Sequence, residues 1–229
     1  MATVLTDEIA RFVAQTGPEP DETLREMDAF ARREGFPHVG PEVGAFCRLL
    51  ARLVGPQRIF EFGSGYGYSA YWLAAALPDD GEIVLTEFDE DELERAPDFL
   101  AAGGYDGLAH YELGDAMETI ERYDGPFDLV LIDHQKERYV DAFEAVREKV
   151  PVGGVIVADN MLQSDSLEFD TLLEMAEAGE LGALERGERE VSEVTRGVGR
   201  FLERVRSDPA FETLVVPLGE GISVSYRLE

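Results

Sequence analysis

From residue 58 onward, short apolar runs alternate with stretches whose apolar residues recur at helical spacing. RIFEF (58–62), EIVLTE (82–87), LAHYEL (108–113), FDLVLID (127–133) and VIVAD (155–159) read as strands, the last two as runs buried on both faces. Helices are expected from about Ser69, from about Glu90, briefly after Leu113, and in YVDAFEAVREKV ahead of the turn PVGG. Pro97 falls inside the second of these and should kink or shorten it. Alternation of this kind implies a parallel sheet covered by helices on both faces.

The two ends of the chain read differently. Residues 1–54 are helical in pattern: Asp21 can cap ETLREMDAFARR, and Pro41 opens EVGAFCRLLARLV before Gly55. Residues 164–196 form an acidic, helical insertion broken by Gly179, Gly182 and Gly187, and a helix follows in RGVGRFLERVRSD. FETLVVPLGEGISVSYRL then reads as two strands around Gly219-Glu220-Gly221, and a turn so short requires an antiparallel pair. The prediction is one α/β domain over 1–229: a doubly wound, seven-stranded, mostly parallel sheet with one antiparallel strand, plus N-terminal helices.

Chemistry gathers at the strand ends. Asp133 and Asp159 close two strands joined by a single crossover helix, which makes those strands neighbours. Open α/β sheets bind ligands in the crevice outside such ends. Either acid alone is an ordinary turn residue. With Asn160 they offer three hard oxygen donors together, a set that suits Mg²⁺ or another divalent cation such as Ca²⁺ or Mn²⁺, rather than zinc.

EFGSGYGYSA (61–70) joins the first strand to its helix, and Gly63, Gly65 and Gly67 let the backbone turn sharply and approach a ligand. A dinucleotide fingerprint would need glycine where Tyr68 stands, and no basic residue in the loop awaits a pyrophosphate. The loop fits a cofactor without phosphates. Glu87, twenty residues after Gly67, is placed to accept hydrogen bonds from ribose hydroxyls, while Asp89 is better placed to cap the next helix. A phosphate-free nucleoside beside a metal site points to S-adenosyl-L-methionine (SAM). GDA (114–116), with Asp115 and Ala116, falls where its adenine would lie.

Composition adds constraints. The formal net charge is −28, and the chain's two lysines are Lys136 and Lys149. Acids spread over the whole chain suggest a halophilic protein working in concentrated salt, where repulsion is screened. Such a surface counts against nucleic-acid binding. Scarcity of lysine also singles out Lys136, three residues after Asp133, because an arginine could serve any plain ion pair. Cys47 sits on an apolar helix face and cannot form an internal disulfide. No run is long enough to span a membrane and no secretory leader is recognisable in MATVLTDEIA, so a cytoplasmic location is expected.

EFGSGYGYSA, TEFDED, GDA, IDHQKERY and VIVADN stand in the order and spacing that resembles the cation-dependent O-methyltransferases, the catechol and caffeoyl-CoA type of class I SAM enzyme. The likeness covers about 37–160 and resumes in FLERVRSDPAFETLVVPLGEGISVS. It implies a Rossmann-like fold with Asp133, Asp159 and Asn160 as metal ligands and Lys136 as the base that accepts the hydroxyl proton. Glu87 matches the ribose acid, Gly63 and Ser69 the methionine end, and Val39, Glu61 and Ala116 further cofactor contacts; His134 matches a residue packing near the adenine. Two vicinal hydroxyls would chelate the ion, so a small catechol-like acceptor is expected. Gln135 departs from the pattern, standing where catechol enzymes carry an aromatic residue that flanks the substrate ring. The N-terminal helices offer a homodimer surface. Two other readings stay open: methyl transfer to a hydroxylated nucleoside in RNA, opposed by the acidic surface, and a non-catalytic SAM-binding protein, opposed by the intact Asp133, Lys136, Asp159 and Asn160.

Overall fold

The computed structural model describes residues 4–229. Seven strands, β1 (Arg58–Phe62), β2 (Glu82–Glu87), β3 (Ala109–Leu113), β4 (Leu129–Ile132), β5 (Val155–Ala158), β6 (Phe211–Val216) and β7 (Ile222–Arg227), form one sheet in the order β3-β2-β1-β4-β5-β7-β6. The first five run parallel, and β7 lies antiparallel to both β5 and β6. The one reversed strand is therefore second from the edge: the chain first lays down β6 outermost, then returns through the hairpin to pair β7 with β5. Strand order reverses direction between β1 and β4, which opens the binding crevice of a doubly wound sheet there.

The helices are α1 (Asp7–Thr16), α2 (Glu22–Glu34), α3 (Gly40–Val54), α4 (Tyr68–Ala74), α5 (Glu90–Leu93), α6 (Ala96–Ala102), α7 (Ala116–Ile120), α8 (Tyr139–Val146), α9 (Phe169–Ala178) and α10 (Glu193–Ser207). Asp21 caps α2 as expected, accepting from the Leu24 amide at 2.9 Å. The helix expected from Glu90 breaks into α5 and α6, with Pro97 in the first turn of α6, where its missing N–H leaves no bond unmade. α10 begins earlier than expected because Ser192 caps it, accepting from Thr195 N at 3.0 Å. Among the described residues no helix is long and apolar enough to cross a membrane.

Alternate strand residues feed two cores. Ile59 joins the one packed under α2, α3 and α4, and Phe60 the one packed under α7, α8 and α10. β4 and β5 are buried throughout, as runs covered on both faces must be. Within residues 164–196, Leu172, Met175, Leu181 and Leu184 are buried against the second core, so the acidic segment is anchored to it by these apolar side chains while most of its other residues stay exposed.

One close approach ties this half of the molecule to the strand ends. α10 crosses the 3₁₀ turn Lys136–Arg138, and a Cβ at Gly197 would lie 2.3 Å from the Lys136 carbonyl oxygen. Gly197→Ala must therefore push α10 off the turn that carries Lys136. Overpacking of this kind costs about 1–3 kcal/mol. The variant should show a lower midpoint in thermal unfolding and lose SAM-dependent methyl transfer more than SAM binding. An unchanged midpoint would mean that the helix and turn are not in rigid contact.

Candidate active site

The carboxyl ends of β1, β2, β4 and β5 open into a cavity of about 980 Å³. Its floor is the glycine loop after β1. Gly63, Gly65 and Gly67 all have positive φ, and a Cβ on Gly63 would lie 2.6 Å from the Asp133 carbonyl oxygen. Glycine is thus required where β1 and β4 part at the switch point. Gly67 turns away, packing against Ala96 and Leu100 of α6.

Of the residues singled out from the sequence, Val39, Gly63, Gly65, Ser69, Glu87, Asp133, His134, Lys136, Asp159 and Asn160 all line this cavity. Glu61 lies just behind it, fully buried, accepting a short hydrogen bond from Ser69 Oγ. Asp115 and Ala116 are not in the lining. Asp115 caps α7 and pairs with Arg138 at 2.9 Å, which holds its carboxyl below the usual range, and Ala116 is buried. Gln135 does face the cavity.

The acids differ in how their charge is met. Glu87 takes Gly65 N at 2.9 Å on one oxygen and Phe88 N at 2.8 Å and Asp89 N at 3.0 Å on the other. Asp133 accepts from Lys136 Nζ at 2.9 Å. Asp159 accepts from the Asn160 amide at 2.8 Å; its burial, with Asp133 beside it, raises its pKa well above the carboxylate range. Burial also pushes Glu61 to about 8, against the Ser69 hydrogen bond and with Asp133 and Glu87 adding to the rise.

The bases are equally constrained. Burial disfavours charge on Lys136, yet Asp133 and the Tyr139 hydroxyl outweigh it and hold the ammonium above its ordinary pKa. The lowering expected from burial is therefore overruled by Asp133. Burial, with Lys136 and Arg138 nearby, depresses His134 to about 3, so its ring is neutral; it stacks on Tyr139 at 5.6 Å. Cys47 is buried on α3 with its thiol pushed up by desolvation, an inert packing residue.

Glu220, in the loop between β6 and β7, was not singled out from the sequence. It lines the cavity and accepts a short hydrogen bond from Asn160 Nδ2. The available signal was a charged residue between two glycines at a turn. His38, Tyr66 and Tyr68 also join the lining from the α2–α3 connection and the glycine loop. Among the described residues no group of three or more His, Cys, Asp or Glu side chains is arranged to hold a metal ion.

Sheet order, reversed β7 and the crevice at the β1–β4 switch point match the fold of class I SAM-dependent methyltransferases. The chain belongs to the O-methyltransferase family, whose model matches residues 16–228. It is 32% identical over 170 residues to a catechol O-methyltransferase of Niastella koreensis, covering 71% of this chain and 76% of that protein. It is 24% identical to a caffeoyl-CoA O-methyltransferase of Stellaria longipes, over 97% of this chain and 91% of the relative. The O-methyltransferase TomG of Streptomyces achromogenes, solved in complex with SAM, superposes with a TM-score of 0.79 at 25% identity, over 97% and 96% of the two chains. The chain is thus a SAM-dependent O-methyltransferase of the caffeoyl-CoA and catechol type.

The burial of Glu61 generates a pH prediction. Its folded pKa lies near 8 against an ordinary 4.5, so between those values the native state keeps a proton that the unfolded state releases. Stability must then fall as pH rises through this window. In SAM-free protein with EDTA, the stability advantage of Glu61→Gln over wild type should grow from about pH 5.5 to about pH 8, by at most about 1.4 kcal/mol per pH unit. Parallel stability profiles would mean that Glu61 ionises normally.

Proposed function

We propose that this enzyme moves the SAM methyl group to one hydroxyl of a small, vicinal-diol aromatic acceptor, in a reaction that needs Mg²⁺ or another divalent cation. The observation that carries the reading is the convergence of Asp133, Lys136, Asp159 and Asn160 on one cavity wall beside the glycine loop. Of two adjacent carboxylates, Asp133 pairs with Lys136 while Asp159, buried to 4% exposure, has no ion pair among the described residues, and this deficit of positive charge suits a hard cation. Asp133, Asp159 and Asn160 would hold that ion, which when bound polarises a hydroxyl and fixes its position.

The cofactor site is supported in the same way. Ser64 Oγ, Glu61 Oε2 and both ring nitrogens of His134 are buried polar atoms without a protein partner around the glycine loop and the β4 end. Such atoms suit a polar ligand. Glu87 would receive the ribose hydroxyls, and Ser69, Gly63 and Val39 would border the methionine end.

Lys136 then acts as the base. While Asp133 holds its proton, Lys136 cannot accept another. With a cation held by Asp133, Asp159 and Asn160, the hold of Asp133 on the ammonium would weaken and the Lys136 pKa would fall, so Nζ would release its proton to solvent and could then take the acceptor's hydroxyl proton. The deprotonated oxygen would then bond to the SAM methyl carbon as the sulfonium C–S bond breaks and S-adenosylhomocysteine leaves, with the cavity walls supplying the orientation. His134 stays neutral and Tyr139 keeps its phenolic proton, since burial raises its pKa. Neither competes for the proton.

Charge around the mouth favours a small acceptor over a CoA ester or RNA. Glu42, Asp165 and Glu220 line the cavity with no ion pair among the described residues, while its cations are Arg32 and Lys136. A polyphosphate or nucleic-acid backbone would need a cluster of Lys or Arg.

Labelled methyl transfer from SAM to a panel of vicinal-diol phenols should require Mg²⁺ and stop with EDTA; transfer that ignores EDTA would sink the metal-dependent reading. Lys136→Ala should lose about 10²–10⁴ in kcat while SAM affinity changes little. Free catechols should exceed caffeoyl-CoA in kcat/KM, and the reverse order would overturn the acceptor assignment.

A further inference from the structure

The Asn160 amide is held by an element far away in sequence. β7 pairs with β5 as far as Ala158 opposite Ser223, which brings the loop before β7 alongside the residues that leave β5. The exit is then stitched to that loop: Met161 N donates to Gly221 O at 2.9 Å, Leu162 N to Glu220 O at 3.0 Å and Gln163 N to Glu220 O at 2.9 Å. Gly221 makes the approach feasible, since a Cβ there would lie 2.5 Å from Leu162 Cγ. Asn160 itself takes a left-handed conformation with φ 64°, which asparagine tolerates better than most residues.

Within this frame the Asn160 side chain has two ways to sit, related by a flip that exchanges its oxygen and nitrogen. An amide presents one acceptor end and one donor end. Its Nδ2 donates to Glu220 Oε2, so Oδ1 occupies the opposite side of the amide. The flipped amide would set Oδ1 against the Glu220 carboxylate, lone pair to lone pair, and turn the NH₂ group toward any cation. Glu220 therefore decides which end of Asn160 is available for coordination.

We propose that Glu220 is the positioning residue of the divalent-cation site, acting through Asn160 by orienting its Oδ1 rather than by contributing its own charge. This rests on the reading of Asp133, Asp159 and Asn160 as cation ligands. Partners in such outer positions change metal affinity by about 10–100-fold when removed.

The test uses Mn²⁺ as the probe, titrated into full-length protein and followed by the loss of its free EPR signal. Wild type should bind, and Asp159→Ala should lose binding. Glu220→Ala, and Glu220→Met as a variant that keeps the stem, should weaken Mn²⁺ binding by about 10–100-fold. Glu220→Gln keeps an oxygen to accept from Nδ2 and should stay within about threefold of wild type. SAM binding in EDTA should be alike in all of them, which certifies the fold. Glu220→Ala and Glu220→Met that both bind as wild type, beside an Asp159→Ala that does not, would overturn the role of Glu220 and leave the cation site standing. Glu220→Gln as weak as Glu220→Ala would overturn it too, because charge rather than the hydrogen bond would then matter. Wild type without Mn²⁺ binding, or binding that survives Asp159→Ala, would bring down the cation reading and this inference with it.

Discussion

Buried negative charge is the constraint around which this molecule is arranged. Four carboxylates, Glu61, Glu87, Asp133 and Asp159, occupy or follow four neighbouring parallel strands, in a crevice that excludes much of the surrounding water. Each has a different remedy. Glu87 is surrounded by backbone N–H groups, Asp133 has Lys136, and Glu61 leans on Ser69 and a raised pKa. Asp159 has only the neighbouring Asn160 amide. The least compensated acid stands beside the Asn160 side chain and Lys136, so unmet charge and polar side chains meet at one spot in the cavity.

The fold serves that spot by register. Parallel pairing of β1, β4 and β5 ends these strands at one level, with Phe62 beside Ile132 and Ile132 beside Ala158. The residue after each end therefore enters the same crevice. Gly63 keeps that crevice narrow without closing it, and the contact between Gly197 and the Lys136 carbonyl fixes the turn from behind. Packing on the far face thus reaches Lys136 through a backbone atom.

Much of this was legible in the sequence, for physical reasons. Apolar runs ending in Asp133 and Asp159 read as buried parallel strands because they are short, rich in β-branched residues and bounded by turn residues, as strands covered on both faces are. The glycine loop was legible because alternate glycines mark backbone conformations other residues avoid. What was not legible is non-local. Glu220 meets Asn160 only because β7 runs back beside β5, and a pairing sixty residues apart leaves no local periodicity. Nor could spacing reveal that Asp133 would oppose the lowering of the Lys136 pKa, since that depends on which partner is present. The 164–196 segment reads as acidic and helical, while its burial against α10 depends on a few apolar residues diluted among the acids.

The cavity has two walls of different construction. One is made of strand ends and the glycine turn, whose Gly63 and Ser64 amides both donate to the Thr86 carbonyl of β2. The other is made of Leu5, Val13, Phe36, Pro37 and His38, from α1 and the segments before α1 and after α2. The cavity is in this sense a sheet edge bordered by a helical flank, one side ordered by strand register and the other by the packing of apolar side chains.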